Sequence, residues 1–158
     1  MLLKEIIMAI QWYPGHMHKA QKEIKQALPG IDLIIEVIDA RIPFSSANPV
    51  IAELANNQGL SKPIIKLMNK TDLADPEVTE VWCKHLELQQ GVKALPVSAH
   101  KPEQVKKVIG LCRKLAPHRV EKELPIRAMI MGIPNVGKST IINILSGRII
   151  AKVGNEPA

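Results

Sequence analysis

Residues Gly132 to Ser139 read GIPNVGKS and fit the pattern G-x-x-x-x-G-K-[ST], whose chemistry is phosphate binding. In such a loop backbone N–H groups wrap phosphate oxygens, Lys138 reaches the outer phosphates as a point charge, and the Ser139 hydroxyl can ligate Mg²⁺. Gly137 lets the backbone come close to the ligand. Asn135, Val136 and Thr140 complete the segment that would line a nucleotide. The bland alternative is a glycine-containing turn carrying a stray Lys. Against it stands the context that the motif requires, an apolar strand-like run before the loop and a helical pattern after it.

A second constellation precedes the first. Asn69-Lys70-Thr71-Asp72 is an N-K-x-D segment directly after an apolar run. A carboxylate such as Asp72 can accept two hydrogen bonds from the N1–H and exocyclic amine of guanine, and adenine offers no matching donor pair. Asn69 would reach N7 of the base or brace the loop. Alone, N-K-x-D is usually a polar turn; beside a phosphate loop it points to guanine. Ser98-Ala99, after a third apolar run, can offer a backbone N–H to the guanine O6, a signal that gains meaning only from its place in the array.

These segments must be positioned by strands. "DLIIEVIDA" (32–40), "KPIIKLMNK" (62–70), "VKALPVSA" (92–99) and "PIRAMIMG" (125–132) are short, apolar and β-branched, as expected of strands buried on both faces. Helical spacing lies between them. Asn48-Pro49 and Asp75-Pro76 each place a capping residue before Pro at the first helical position, a third helix follows Pro102, and a fourth covers residues 138–147. Strands alternating with helices predict a parallel sheet in a three-layer α/β domain. Ligands of such sheets gather beyond the carboxyl ends of the strands, where all three constellations fall. The charged stretch 116–125 reads as a helix-poor link.

The bulk properties fit one globular unit: 158 residues, 46% hydrophobic and 23% charged, without repeats or low-complexity tracts. Cys83 and Cys112 show no disulfide or zinc spacing and predict two reduced, part-buried thiols. No apolar stretch approaches a membrane span or a signal peptide, so the expectation is a cytoplasmic protein without a membrane partner. Of the formal charge of +6, most falls on residues 101–127, either a solvated helix face or a contact surface for a polyanion. Aromatics at 3% argue against base stacking and leave phosphates as the contact if that partner is a nucleic acid.

Taken together, "GIPNVGKST", "NKTD" and "SA" resemble the motifs of translation-factor-related GTPases, but with N-K-x-D and S-A ahead of the phosphate loop. The chain thus looks circularly permuted. "IQWYPGHMHKAQKEI" and "DLIIEVIDARIPFSSANP" closely resemble signature segments of the bacterial ribosome biogenesis GTPase A family. That resemblance covers residues 8 to 156. It implies an incomplete permuted GTPase domain over residues 1–158, with an N-terminal segment and helix (1–28), a base-recognition half (29–116), a linker (117–124) and a phosphate-loop half (125–158). It also implies binding of GTP or GDP with Mg²⁺, GTP hydrolysis, and action on the large ribosomal subunit through rRNA and ribosomal proteins. Family members commonly begin near Met8, so "MLLKEII" reads as a start-site extension.

The resemblance carries residue roles as well. His16, by sequence alone a surface histidine after a Pro-Gly turn, becomes a candidate for orienting the attacking water, with Lys138 as the second catalytic candidate. Asn135, which tolerates unusual loop dihedrals, can in related GTPases help hold a K⁺ ion. Family members continue into a switch I Thr, a D-x-x-G loop and a helical RNA-binding domain, whereas the sequence stops at "AKVGNEPA". The expectations are weak hydrolysis, weak discrimination of GTP from GDP, and four strands in the order fourth, first, second, third. Strand 126–131 would then be an exposed edge open to self-association. Two other functions stay open: a non-hydrolysing guanine-nucleotide and RNA-binding module, and an ATP-using protein with a fortuitous N-K-x-D. Glu36, mid-strand, is expected to pair with Arg41 or with a Lys of the 18–28 helix. Asp39 and Arg41 fall on the nucleotide side.

Overall fold

The computed structural model describes residues 7–11, 17–56 and 61–146, with side chains described from residue 21 onward. Among these residues five strands form one parallel sheet: β1 (Ile7–Gln11), β2 (Leu33–Asp39), β3 (Ile64–Asn69), β4 (Val92–Pro96) and β5 (Ala128–Gly132), in the order β1-β5-β2-β3-β4. The four expected strands therefore lie in the expected order. The expected exposed edge is corrected, because β1 pairs with β5 from Ile7 opposite Ala128 to Gln11 opposite Gly132. The short apolar run at the N-terminus adds a strand where the motif comparison had provided none, and Ile7, read as part of an extension, belongs to it.

Helices cross between the strands: α1 (Met17–Ala27), α2 (Pro43–Ser46), α3 (Pro49–Asn56), α4 (Pro76–Leu86), α5 (Pro102–Leu115), α6 (Pro117–Glu121) and α7 (Lys138–Ser146). The expected caps hold. Asn48 Oδ1 accepts from the Val50 N–H at 3.1 Å, and Asp75 Oδ1 accepts from the N–H groups of Glu77 and Val78 at 2.9 and 3.0 Å. Each such cap contributes about 1 kcal/mol. The link 116–125 is corrected, since it contains α6. Its Arg119 donates to Asp32 at 3.0 Å, and the Arg127 backbone N–H donates to the same carboxylate at 2.8 Å.

Two layers of side chains sandwich the sheet. Leu33, Ile35 and Val37 of β2 point with Ile65 and Leu67 of β3 toward Val105, Val108 and Cys112 of α5 and Ile141, Ile142 and Leu145 of α7. Ile34 points the other way, with Met129 and Met131, toward Ile24 of α1 and Ile51 and Leu54 of α3. That period of two in β2 and β3 is the strand signature, and burying each Ile or Leu contributes roughly 1.5–3 kcal/mol. Ile38 and Met68 close the core under α4, against Trp82, Cys83 and Leu86. β4 is the exception to strands buried on both faces, since Lys93 and Pro96 are exposed along that edge. Both thiols are free, Cys112 buried and Cys83 half-buried.

Glu36 is fully buried, and its partner differs from the expectation. Lys66, directly opposite on β3, donates its ammonium to Glu36 Oε2, while the Asn48 backbone N–H donates to Oε1 at 2.7 Å. The pair satisfies two charges that the sheet interior could not hold singly. No helix among the described residues is long and apolar enough to cross a membrane.

Candidate functional site

The register of β2 and β3 sets Asp39 directly opposite Asn69 at the carboxyl ends of the strands. β5 ends nearby at Gly132, whose hydrogen faces the Val37 carbonyl so closely that a Cβ would stand 2.8 Å from that oxygen. The chain leaves β5 into the phosphate loop and re-enters helix at Lys138. All three sequence constellations therefore meet at one end of the sheet.

Asn69 ties them together. Its buried amide Nδ2 donates to the Val136 carbonyl of the phosphate loop at 2.9 Å, and its Oδ1 accepts the Ala99 N–H at 3.0 Å. Of the two roles read from sequence, the brace is the one observed. The same geometry changes the part given to Ser98-Ala99: the Ala99 N–H is held by Asn69, the Ser98 N–H donates to Gln104 at 2.9 Å, and the His100 N–H donates to Ser98 Oγ at 3.3 Å. The Ser98 hydroxyl donates to Asp72 Oδ1 at 3.0 Å, which orients the carboxylate over the cleft.

Lys70 spans the gap with its stem. It sits at φ 67° in the left-handed region, as does Asn135, and its Nζ donates to the Asn135 carbonyl at 2.7 Å. A long apolar stem stretched between two loops is a surface on which a flat base can lie. Thr71 opens a 3-10 turn and donates its backbone N–H to the Val97 carbonyl at 3.2 Å, which fixes where Asp72 points.

Gly137 has φ 92°, and a Cβ there would lie 2.3 Å from Asn69 Nδ2. The loop conformation thus needs glycine twice over, for the dihedral and for the brace. Lys138 is buried, with its Nζ 3.3 Å from the Gly132 carbonyl, and desolvation pushes its ammonium down to about 8. A phosphate beside it would favour the charged form and push that value back up. Ser139 and Thr140, in the first turn of α7, are half-buried, and the Ser139 hydroxyl could supply one Mg²⁺ ligand beside phosphate oxygens. The donor set fits a phosphate chain, whereas among the described residues no cluster of His, Cys, Asp and Glu would hold a metal ion unaided.

These groups line an open cleft of about 330 Å³ whose walls include Asn69, Lys70, Asp72, Ala99, Gly137 and Thr140. Three further residues, Arg41, Leu73 and His100, share it. Leu73 and His100 sit next to the motifs and were within reach of sequence reading; Gln104, six residues past Ser98, gave no signal. Arg41 grips Asp39 through Nε at 3.1 Å and Nη2 at 2.8 Å. That grip holds the Asp39 carboxyl below its usual range despite burial. Lys70 Nζ lies 3.5 Å from the same carboxylate. His16 lies outside the described residues.

A parallel sheet with a phosphate loop and a base-recognition loop at its carboxyl end defines a GTPase-type nucleotide-binding domain, and the order of its motifs makes it circularly permuted. Relatives agree. A family profile described as "50S ribosome-binding GTPase" matches residues 127–158. Ribosome biogenesis GTPase A of Bacillus pumilus is 45% identical over 157 residues, covering 95% of this chain and 54% of that protein. The namesake from Priestia megaterium is 44% identical, covering 95% of this chain and 53% of its own length. The solved GDP-bound structure of TM YlqF superposes with a TM-score of 0.55 at 31% identity, over 79% of this chain and 48% of that one. YjeQ from Thermotoga maritima, at 18% identity and a TM-score of 0.50 over 73% of this chain and 38% of that one, shares the fold. Over 95% of its length the chain is similar to ribosome biogenesis GTPase A, with the motif order of the circularly permuted GTPases. It spans about half the length of the curated relatives it matches.

Proposed function

We propose that this chain binds GDP and GTP, with Mg²⁺, as the nucleotide-binding part of a GTPase acting in assembly of the large ribosomal subunit in the cytoplasm. The observation that carries the reading is the Asn69 amide, bonded at once to the phosphate loop and to the Ser98-Ala99 loop. It makes one site of segments far apart in sequence, and Asp72, held by Ser98, faces that site as the guanine-selecting carboxylate. Lys138 holds the β-phosphate side, Ser139 supplies a metal ligand, and Asn135 is the residue through which a K⁺ ion would act. The ribosomal part of the reading rests on the relatives.

For the hydrolytic step the family resemblance offers His16 as the residue that orients water and Lys138 as the second catalytic candidate, and binding is expected to outrun turnover in this chain. Competition of GDP and of ADP against a fluorescent guanine nucleotide tests the binding claim: GDP displaces it and ADP does not, and equal displacement refutes the reading. Single-turnover GTP hydrolysis by the wild type and by His16→Ala tests the second claim. An unchanged rate removes His16 from the mechanism, and no hydrolysis by the wild type leaves a nucleotide-binding module.

A further inference from the structure

We infer that the solvent face of α5 is a docking surface for the phosphate backbone of RNA. The inference rests on the ribosome-directed reading above and says which face meets the polyanion. In a helix of 3.6 residues per turn, positions 106, 107, 110, 113 and 114 fall within about a third of the circumference. Lys106, Lys107, Arg113 and Lys114 are all exposed there, and the opposite face, Val105, Val108 and Cys112, is buried against the sheet. Glu103, in the first turn, is the one carboxylate on the same side. From Lys106 to Lys114 the stripe runs about 12 Å along the axis at 1.5 Å per residue, long enough to meet several charges of a duplex that carries one per about 1.7 Å.

Gly110 stands at the centre of this stripe. A glycine inside a helix weakens it, and packing does not explain this one, because a Cβ at Gly110 would meet nothing within 4 Å. Its effect is to leave the helix backbone bare between two pairs of cations, where a sugar-phosphate strand could lie close. Other exposed helix faces mix the two signs of charge more evenly. On α4 the cation Lys84 is matched by Glu80 at 2.9 Å, and on α1 Lys22 and Lys25 flank Glu23. With few aromatics in the chain, contact runs through phosphate charge and not through stacked bases.

The test is fluorescence anisotropy of a labelled RNA hairpin against the full chain across a salt series. A variant with Lys106, Lys107, Arg113 and Lys114 all replaced by Gln is compared with a control in which Lys22, Lys25, Lys84 and Lys93 are replaced by Gln. Loss of four phosphate contacts flattens the slope of log K against log salt by about 3 units in the first variant, while the control keeps the wild-type slope. Gly110→Glu, which has room to fold, weakens binding at low salt by at least about tenfold, since it sets a charge against phosphate and blocks close approach. Equal loss in both four-site variants, no binding by the wild type, or displacement by polyglutamate as effective as by unlabelled RNA overturns the assignment. GDP affinity, measured on the same samples, separates the two readings: if it is normal while RNA binding fails, only the α5 inference falls.

Discussion

Gly137→Ala should damage this protein through a side chain 68 residues away in sequence. The added Cβ would stand 2.3 Å from Asn69 Nδ2, and φ at 92° lies where L-residues are disfavoured. The backbone cost is about 1–2 kcal/mol. Moving Asn69 aside breaks its bonds to the Val136 carbonyl and the Ala99 N–H, leaving buried polar groups unpaired at a cost of about 1–3 kcal/mol. The sum, about 2–5 kcal/mol, is a large share of the 5–15 kcal/mol typical of a folded domain. With a slope of roughly 2 kcal/mol per molar urea the unfolding midpoint falls by about 1–2.5 M, and GDP affinity falls because the damaged loop is the phosphate cradle. The double variant Gly137→Ala with Asn69→Ala removes the clash, so its cost is well below the sum of the two single costs. A Gly137→Ala protein with an unchanged midpoint and GDP affinity within about twofold of wild type would refute this account of the loop.

Other consequences follow from buried charge. Lys66→Met strands the Glu36 carboxylate in the sheet and is expected to lower stability by about 3–5 kcal/mol in urea unfolding, whereas adding Glu36→Gln recovers part of the loss. Lys138, with its folded value near 8 against an ordinary lysine value of 10.5, is less protonated in the free protein above about pH 8 than in the unfolded chain. Its contribution to stability therefore rises between about pH 8 and 10.5. Phosphate binding requires that proton, so GDP affinity should fall as pH rises from 7 to 9, by at most about tenfold per unit, in calorimetric titrations. Lys138→Gln binds more weakly but with a flat profile over the same window.

Much of the site was legible because its chemistry is local. A phosphate loop and an N-K-x-D segment declare their ligand within a few residues, and apolar runs told where strands would hold them. What escaped reading was non-local. Glu36 finds Lys66 through the register of two parallel strands, which no local pattern encodes, although a single opposite charge in the middle of each apolar run was a usable signal. The covering of β5 by Ile7–Gln11 was hidden by a five-residue strand too short to announce itself, and α6 by its length, despite Pro117 at its first position. Asn69 was seen as reader or brace. The fold distinguishes these, because the choice depends on which loop carbonyl lies within hydrogen-bond reach.

The central claim is that Asp72, set by Ser98 at the mouth of the cleft, selects guanine. Calorimetric titration of Asp72→Asn with GDP and with xanthosine diphosphate tests it most directly, because the asparagine amide donates where the carboxylate accepted and so matches the 2-oxo group of xanthine. Two charge-assisted bonds are at stake, so the preference should reverse by about a hundredfold or more. Unchanged GDP affinity in Asp72→Asn, with no gain for the xanthine nucleotide, would contradict the account.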